Sequence, residues 1–448
     1  MKKDLTSGNV TRTMLVFAAP MIVGNLLQQC YNIADTLIVG RFLGADALAA
    51  VGSAYTLMTF LTSVFIGLCM GSGSVYSFYF GKKDEQQMRK SMAVAFVLIG
   101  AVSLVMNVLV FAARMPILHL LQVPSSLLLL MDEYVTIIFF GMFFVFLYNY
   151  FAFLLRAVGN SVTPLCFLGC AAAINIVLDL LFVIRFGWGI GGAAAATVIA
   201  QAFSGAGIGI YTWVKEPWLR PHAGEFSFSR KTAGEILRFS SAACIQQSVM
   251  NFGILMIQGL VNCFGTAVMA AFAAGVKIDS FAYMPAQEFG NAFSIFISQN
   301  YGAGREDRVS EGMYRAAKTS LLFCAAVSGA VFLLAPFLMQ IFINKTEIEL
   351  IGIGIDYLRI EGAFYWGIGL LFLLYGYFRG TGKPEMSVVL TVISLGTRVA
   401  LAYLLSSLPR IGVHGIWWSI PIGWVLADGG GIAVIFWKQR RKYTGKVK

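Results

Sequence analysis

The chain has 448 residues, of which 58% are hydrophobic and 12% are charged, with a formal net charge of +11 and a mean hydropathy of +0.76. Soluble domains carry roughly 25% charged residues, so this composition excludes an ordinary soluble domain. It indicates a polytopic α-helical membrane protein.

Apolar stretches of 18 residues or more recur along the whole chain, which is the pattern of transmembrane helices. The first stretch is too long for the apolar region of a secretory signal, so we interpret it as a first span. We predict twelve spans, at residues 12–39, 48–78, 91–113, 134–155, 162–184, 190–214, 236–261, 268–298, 314–341, 355–378, 385–407 and 414–437.

The basic residues predict how these spans are oriented. With the N-terminus inside, most of the 33 Lys and Arg residues fall in or beside the cytoplasmic segments. This positive-inside pattern places both termini in the cytoplasm of a cell whose plasma (inner) membrane holds the protein. The net charge therefore reflects membrane orientation, and no nucleic-acid partner is expected.

The two halves of the chain resemble each other. RFLGADALAAVGS (41–53) matches NCFGTAVMAAFAA (262–274), and LLRAVGNSVTP (154–164) echoes YFRGTGKPEMS (377–387). An even number of spans in each half gives both halves the same orientation, related by a pseudo-two-fold axis along the membrane normal.

The longest break, KEPWLRPHAGEFSFSRK, separates these halves. We predict an N-terminal six-helix bundle (1–214), a cytoplasmic linker (215–235) and a C-terminal six-helix bundle (236–448). The fold class is an all-α membrane protein with two pseudo-symmetric bundles around a central cavity. Such a pair suits alternating access, in which the cavity opens first to one side of the membrane and then to the other.

No motif for hydrolysis, ATP use or metal chemistry occurs in the sequence. The seven cysteines form no C-x-x-C pair and the three histidines lack ligand-spaced neighbours, so no structural metal and no cofactor are expected. The protein is predicted to be a transporter driven by an ion or substrate gradient. A membrane enzyme is the alternative from another class.

Two acidic residues lie deep within predicted spans. Asp35 and Asp179 each lie six or seven residues from the outer end of a span, about 10 Å below the surface. An Asp at the bilayer centre costs about 2.5–3.5 kcal/mol on insertion scales, and such residues usually face the bundle interior. Thr197 in the sixth span reaches a similar depth.

Two further polar residues share helix faces with these acids. Tyr31 precedes Asp35 by four residues, and Asn175 precedes Asp179 by four. Together with Thr197 they form a predicted site of hard oxygen atoms that holds a small cation or shares a proton. The alternative is a polar network that only packs the N-terminal bundle.

A structural interpretation is favoured for the four other acids within spans, and a functional role for them stays open: Asp279, Glu288, Glu361 and Asp428. Either Asp279 or Lys277, which do not share a helix face, is expected to pair with another span, for example at Glu361. The repeat places Met256 opposite Asp35, so a cation site is expected in the N-terminal half only.

Three fragments together resemble the multidrug and toxic compound extrusion (MATE) transporters, with DinF-like prokaryotic members most similar. They are FAAPMIVGNLLQQCYNIADTLIVGRFLGADALAAVG (17–52), FISQNYGAG (296–304) and YFRGTGKPEMS (377–387). The resemblance covers nearly all of the chain. It implies a cation-coupled antiporter that expels drug-like, often cationic, amphiphiles through a V-shaped pair of bundles.

The resemblance also implies roles for individual residues. The DinF-like pattern of an Asp in the first span, an Asn-x-x-x-Asp pair in the fifth, a Thr in the sixth and a nearby Tyr matches Asp35, Asn175, Asp179, Thr197 and Tyr31. The NorM-like branch instead has acids in the seventh and tenth spans. This sequence has none in the seventh, and its acid in the tenth lies near the outer end.

Several questions stay open at this point. The coupling ion is Na⁺ or H⁺, because an oxygen-rich carboxylate site serves either. The cargo is a drug-like small molecule, or, in the runner-up interpretation, a lipid-linked oligosaccharide or a small metabolite. The substrate-binding residues are unknown. The protein is expected to be a monomer in the lipid bilayer.

Overall fold

The computed structural model describes residues 4–120, 125–222, 225 and 229–444, and helices account for almost all of them. Residues 223, 224 and 226–228 of the predicted linker, and the chain ends, lie outside this description. The α-helices are α1 (Val10–Leu43), α2 (Ala45–Gly81), α3 (Glu85–Ala112), α4 (Arg114–Leu120), α5 (Ser125–Ala157), α6 (Val162–Asp179), α7 (Gly189–Lys215), α8 (Arg230–Asn262), α9 (Thr266–Gly302), α10 (Glu306–Phe342), α11 (Ile348–Gly362), α12 (Tyr365–Gly380), α13 (Pro384–Ser406) and α14 (His414–Thr444).

The predicted membrane spans are confirmed. In the described part of the chain, eleven helices are long and apolar enough to cross a membrane, and α11 with α12 supplies a twelfth as one bent pair. The continuous tenth span predicted at 355–378 is wrong in one respect, because the two helices meet at 48°. At this break the amides of Phe364 and Gly367 bond three residues back instead of four, which tightens the turn.

The chain divides into two compact units, which are described separately. The first contains Ala19–Cys244, and the second contains Leu5–Ala18 and the chain from Ile245 onward. Helices α1 and α8 therefore each contribute to both units.

The first unit packs mainly through α2, α3, α5, α6 and α7. Its buried side chains include Phe65, Phe139 and Phe146. Helix α7 approaches α5 at Gly205, where a Cβ atom would lie 2.4 Å from the carbonyl oxygen of Phe144. Small residues at such contacts allow membrane helices to pack backbone against backbone.

Gly205→Ala should lower the thermal stability of the purified protein, because the added methyl group forces α5 and α7 apart. Overpacking of this kind costs about 1–3 kcal/mol. Gly234→Ala in α8 is the matched control, since a Cβ there meets nothing within 4 Å and Ala favours a helix over Gly by up to about 1 kcal/mol. Equal melting temperatures for the two variants would contradict this packing.

The chain after α7 is held against the start of α3 by an ion pair. Arg89 donates from Nε to Oε2 of Glu225 at 3.0 Å, and the amide of His222 donates to the same oxygen at 2.9 Å. Burial alone would raise the pKa of Glu225, but the bonds from Arg89 and His222 prevail and lower it to about 2. Glu225 therefore stays ionised at neutral pH, and this attachment is lost only as the pH falls from about 4.5 towards 2.

The second unit is built around aromatic packing between α9, α11 and α14. Phe272 stacks on Trp417 with ring centroids 5.4 Å apart, and Tyr357 meets the same Trp edge-on at 4.9 Å. All three side chains are buried. Because large rigid rings pack in few arrangements, this cluster fixes the three helices with respect to one another.

The segment before α1 is anchored to the second unit by a buried arginine. Arg308 donates to the carbonyl oxygens of Leu5, Ser7 and Gly8 at 3.3, 3.2 and 2.8 Å, and to Oδ1 of Asn300 at 3.0 Å. The Leu5 side chain is itself fully buried. One guanidinium group thus satisfies three backbone carbonyls that have no helix to pair with.

Arg308→Ala should loosen this segment, because Gly8 loses its side-chain donor and the carbonyl oxygens of Leu5 and Ser7 keep only the weaker bonds from Asn300 and Thr13. We expect backbone amides near residues 5–8 to exchange with deuterium at least tenfold faster than in the unchanged protein, as loss of roughly 1.4 kcal/mol predicts. Arg315→Ala, which removes an exposed pair with Glu311, should leave that exchange unchanged. Slow exchange in Arg308→Ala would show that other contacts hold the segment.

Candidate cation site

The candidate site lies wholly within the first unit, where α6 ends. Asp179 is the last residue of α6, and a π-helical segment, Leu180–Arg185, follows it directly. The wider hydrogen-bonding pattern of a π-helix changes the helical register, and such segments are frequent at functional sites. Asp179 is completely buried at this junction.

Asn175 links Asp179 to α7. In the amide orientation that satisfies both ends, its nitrogen donates to Oδ2 of Asp179 at 2.9 Å. Its oxygen accepts from Oγ1 of Thr197 at 3.2 Å and from the Thr197 amide at 3.3 Å. The four-residue spacing of Asn175 and Asp179 therefore places both on one face of α6, turned towards Thr197.

The α1 side of the site brings Asp35 and Tyr31 to the same group of residues. The carboxyl groups of Asp35 and Asp179 face each other within hydrogen-bonding range. The Tyr31 hydroxyl reaches the Thr197 side chain. All five residues singled out in the sequence are thus neighbours in the structure.

Tyr134 is a sixth neighbour that the sequence analysis did not identify. Its buried phenol on α5 lies beside Asp35, Asp179 and Tyr31. A tyrosine near the start of a predicted span is usually interpreted as an interfacial residue. Only the fold shows that Tyr134 lies near the site.

The arrangement can hold one proton or one small cation. Oδ1 of Asp35 and Oδ1 of Asp179 are both buried and have no hydrogen-bond partner. Two facing carboxylates repel each other if both are ionised and nothing lies between them. Carboxylate, amide and hydroxyl oxygens are also the ligands that hard cations prefer. The orphaned oxygens therefore fit either coupling ion.

The second unit contains another pair of buried acids, Asp279 on α9 and Glu361 at the end of α11. Their carboxyl groups approach each other, Tyr357 lies beside both, and Tyr365 donates a hydrogen bond to Oδ1 of Asp279. The expected pairing with Glu361 therefore joins two acids and is not an ion pair. The neighbouring groups here are phenols, which are proton donors, whereas the first unit also offers amide and hydroxyl oxygens.

The two remaining acids of the predicted spans differ from each other. Asp428 on α14 is buried, and neither of its carboxylate oxygens has a hydrogen-bond partner. Glu288 on α9 is half-buried and accepts a bond from Asn291 at 3.3 Å. Neither lies in a cluster of the kind formed around Asp35 and Asp179.

Tyr365→Phe should destabilise the second unit, because Asp279 loses its phenolic donor while the shape of the ring is kept. An unsatisfied buried group costs about 1–3 kcal/mol, so the melting temperature should fall measurably. Tyr403→Phe removes a phenol that is 49% exposed and serves as the control. A melting temperature equal to that of the control would contradict the role given to this bond.

Taken together, these observations define a multi-pass helical membrane protein with a buried pair of carboxyl groups inside one bundle. The family model described as MatE matches residues 20–181 and again residues 242–404, in keeping with the repeated halves. The chain belongs to the MatE family, whose members are membrane transporters.

Relatives extend over almost the full chain. It is 32% identical over 395 residues to "Probable multidrug resistance protein YpnP" of Bacillus subtilis, covering 87% of each protein. It is 23% identical over 451 residues to "FAD transporter" of Shewanella oneidensis, covering 98% of this chain and 96% of that protein. Among solved structures, "Crystal structure of MATE in the bent conformation" matches the fold with a TM-score of 0.91 at 23% identity, covering 99% of this chain and 98% of that one.

Proposed function

We propose that the protein is a secondary active multidrug efflux transporter, which exports amphiphilic, often cationic, small molecules in exchange for Na⁺ or H⁺. The observation that carries the proposal is the facing pair Asp35 and Asp179, buried with one orphaned oxygen each. The names of relatives such as the Bacillus subtilis protein support the class of cargo.

In this proposal the coupling ion binds at the two carboxyl groups. Asn175 and Thr197 orient Asp179, and Tyr31 approaches from α1. An ion can drive a conformational change only if it binds one state more tightly than the other. The ion neutralises the pair when it binds, so α1 and α6 approach each other without repulsion in the loaded state only.

Helix α1 is the element best suited to respond. Within the first unit its backbone approaches α5, α6 and α7 far less closely than α5 and α7 approach each other. Pro20 lies inside α1 and removes one backbone hydrogen bond from it. A change of charge at Asp35 therefore acts on a helix that has few close backbone neighbours to resist its movement.

The energy available to this exchange is sufficient for efflux. When one cationic substrate is exchanged for one Na⁺ or H⁺, no net charge crosses the membrane, so the concentration gradient of the coupling ion supplies the energy. A gradient of about fifty-fold supplies roughly 2.3 kcal/mol and supports a substrate ratio of the same size. The remaining parts of the proposal follow the sequence: bundles at 1–214 and 236–448 joined by a cytoplasmic linker, both termini in the cytoplasm, and a monomer in the plasma membrane.

A metabolite exporter is the second candidate. The relative from Shewanella oneidensis is named an FAD transporter. That name favours a larger and anionic cargo. Competition between a cationic dye and a flavin nucleotide for export from liposomes distinguishes the two candidates, because only the true cargo inhibits efflux of the labelled compound.

Asp35→Asn and Asp179→Asn should each abolish coupled export, because an amide carries no negative charge for a proton or cation to neutralise. In liposomes with an imposed Na⁺ or H⁺ gradient of about fifty-fold, the accumulated ratio of a cationic dye should fall from about fifty-fold to about one. Collapsing each gradient in turn on the unchanged protein identifies the coupling ion.

Asp46→Asn is the matched control for this experiment. It makes the same chemical change at an exposed acid in the first turn of α2, and it should export normally. Full export by both site variants, with normal amounts of folded protein in the liposomes, would refute the coupling site.

A further inference from the structure

A cavity lies in the first unit, far from the candidate cation site. It has a volume of about 270 Å³ and opens between α3, α5 and the end of α7. Its walls are almost entirely apolar and include Phe96, Tyr150, Phe151 and Trp213. Trp213 lies sixteen residues after Thr197 on α7, which corresponds to roughly 24 Å along the helix. The cavity therefore cannot share the coupling ion.

The mouth of the cavity carries a positively charged group. Arg220 lines it, and its Nε donates to the carbonyl oxygen of Trp213 at 2.7 Å while the guanidinium lies 5.4 Å from the centre of the Trp213 ring. Within the described residues neither Nη group has a hydrogen-bond partner, and no carboxylate forms an ion pair with Arg220. The side chain is thus held in place with its outer donors available.

Two acids lie close in sequence to this mouth, and one of them is paired with a basic residue. Glu216 also lines the cavity, but its carboxylate accepts from Nε1 of Trp218 at 2.6 Å. Glu225 is bound by Arg89. Lys215, at the end of α7, is exposed. Arg220 and Lys215 together outweigh the one negative charge of Glu216, so the net charge beside the mouth is positive and favours an anionic over a cationic amphiphile.

The cavity also lies where a membrane protein meets the lipid headgroups. Ile210, Trp213 and Val214 on the last turns of α7 are each more than half exposed, as expected of side chains that face lipid. Tryptophan is enriched at the level of the headgroups. Basic residues at that level attract anionic lipids of the cytoplasmic leaflet.

We propose that this cavity is a binding site for an anionic phospholipid, with one acyl chain lying against Phe96, Tyr150 and Phe151 and the phosphate on Arg220. A free phosphate would leave the apolar walls unused, and a neutral lipid would leave the Arg220 donors unused. Bound lipid stabilises the first unit by mass action, since the site is absent from the unfolded chain.

The test measures lipid binding to the full-length protein in detergent by native mass spectrometry, together with the shift in melting temperature. The probes are phosphatidylglycerol, phosphatidylcholine with the same acyl chains, and glycerol phosphate without chains. We expect phosphatidylglycerol to bind at least about tenfold more tightly than either of the others, as expected for one charge-assisted contact added to acyl-chain burial.

Two variants separately examine the contacts with the lipid headgroup and with its acyl chain. Arg220→Gln should weaken phosphatidylglycerol binding about tenfold without affecting phosphatidylcholine, whereas Arg230→Gln, at an exposed position at the start of α8, should change neither. Ala93→Leu narrows the cavity and should weaken both lipids, and its melting temperature without lipid shows that it is folded.

Three results would overturn the proposal. One is unchanged phosphatidylglycerol binding in both Arg220→Gln and Ala93→Leu. Another is binding of glycerol phosphate as tight as that of the lipid, which would make the mouth a simple anion site. The third is tighter binding of a cationic amphiphile than of phosphatidylglycerol, with sensitivity to Ala93→Leu.

Discussion

The proposed coupling depends on one physical constraint: two carboxyl groups face each other inside an apolar bundle, with no basic partner among the described residues. In such surroundings two ionised carboxylates repel each other, and a shared proton or a bound cation would relieve that repulsion. Asp35 and Asp179 are brought into this position by helices from distant parts of the sequence. The other residues of the site hold Asp179 in place. Asp35 instead lies on α1, the helix that we propose moves when the ion binds.

Asp179 is the fixed member of the pair. Its helix changes from α to π hydrogen bonding at the next residue, and Asn175 ties it to Thr197 on α7. Helix α7 is in turn packed backbone against backbone with α5 at Gly205. Asp35 lies on α1, whose contacts with these helices are looser. In the proposed mechanism, this difference converts a change of charge at the site into a movement of α1 relative to α5, α6 and α7.

Much of this could be predicted from the sequence because membrane helices obey simple periodicities. Apolar length gave the spans, and a spacing of four residues with equal depth selected Tyr31, Asp35, Asn175, Asp179 and Thr197. The bend between α11 and α12 is not predicted, because no proline marks it and one predicted span runs across Gly362 although Arg359 and Glu361 come just before it. The role of these five residues in coupling is still a prediction.

Neighbours on different helices were harder to foresee. Tyr134 and the pairing of Asp279 with Glu361 depend on the rotation of each helix about its own axis, which apolar runs do not determine. Expecting an ion pair at Asp279 was reasonable, since buried charges are usually compensated by opposite charges. The second unit instead surrounds its two acids with phenols, which stabilise a carboxyl pair by donating hydrogen bonds.

The most direct test of the central claim is the release of the coupling ion when substrate binds. A cationic substrate is added to purified protein in weakly buffered detergent solution, and released H⁺, or Na⁺ from protein loaded with it, is measured. Since coupling is reciprocal, the account predicts stoichiometric release from the unchanged protein and none from Asp179→Asn, although the variant still binds substrate. Equal release from both proteins would contradict the claim that the ion binds at Asp35 and Asp179.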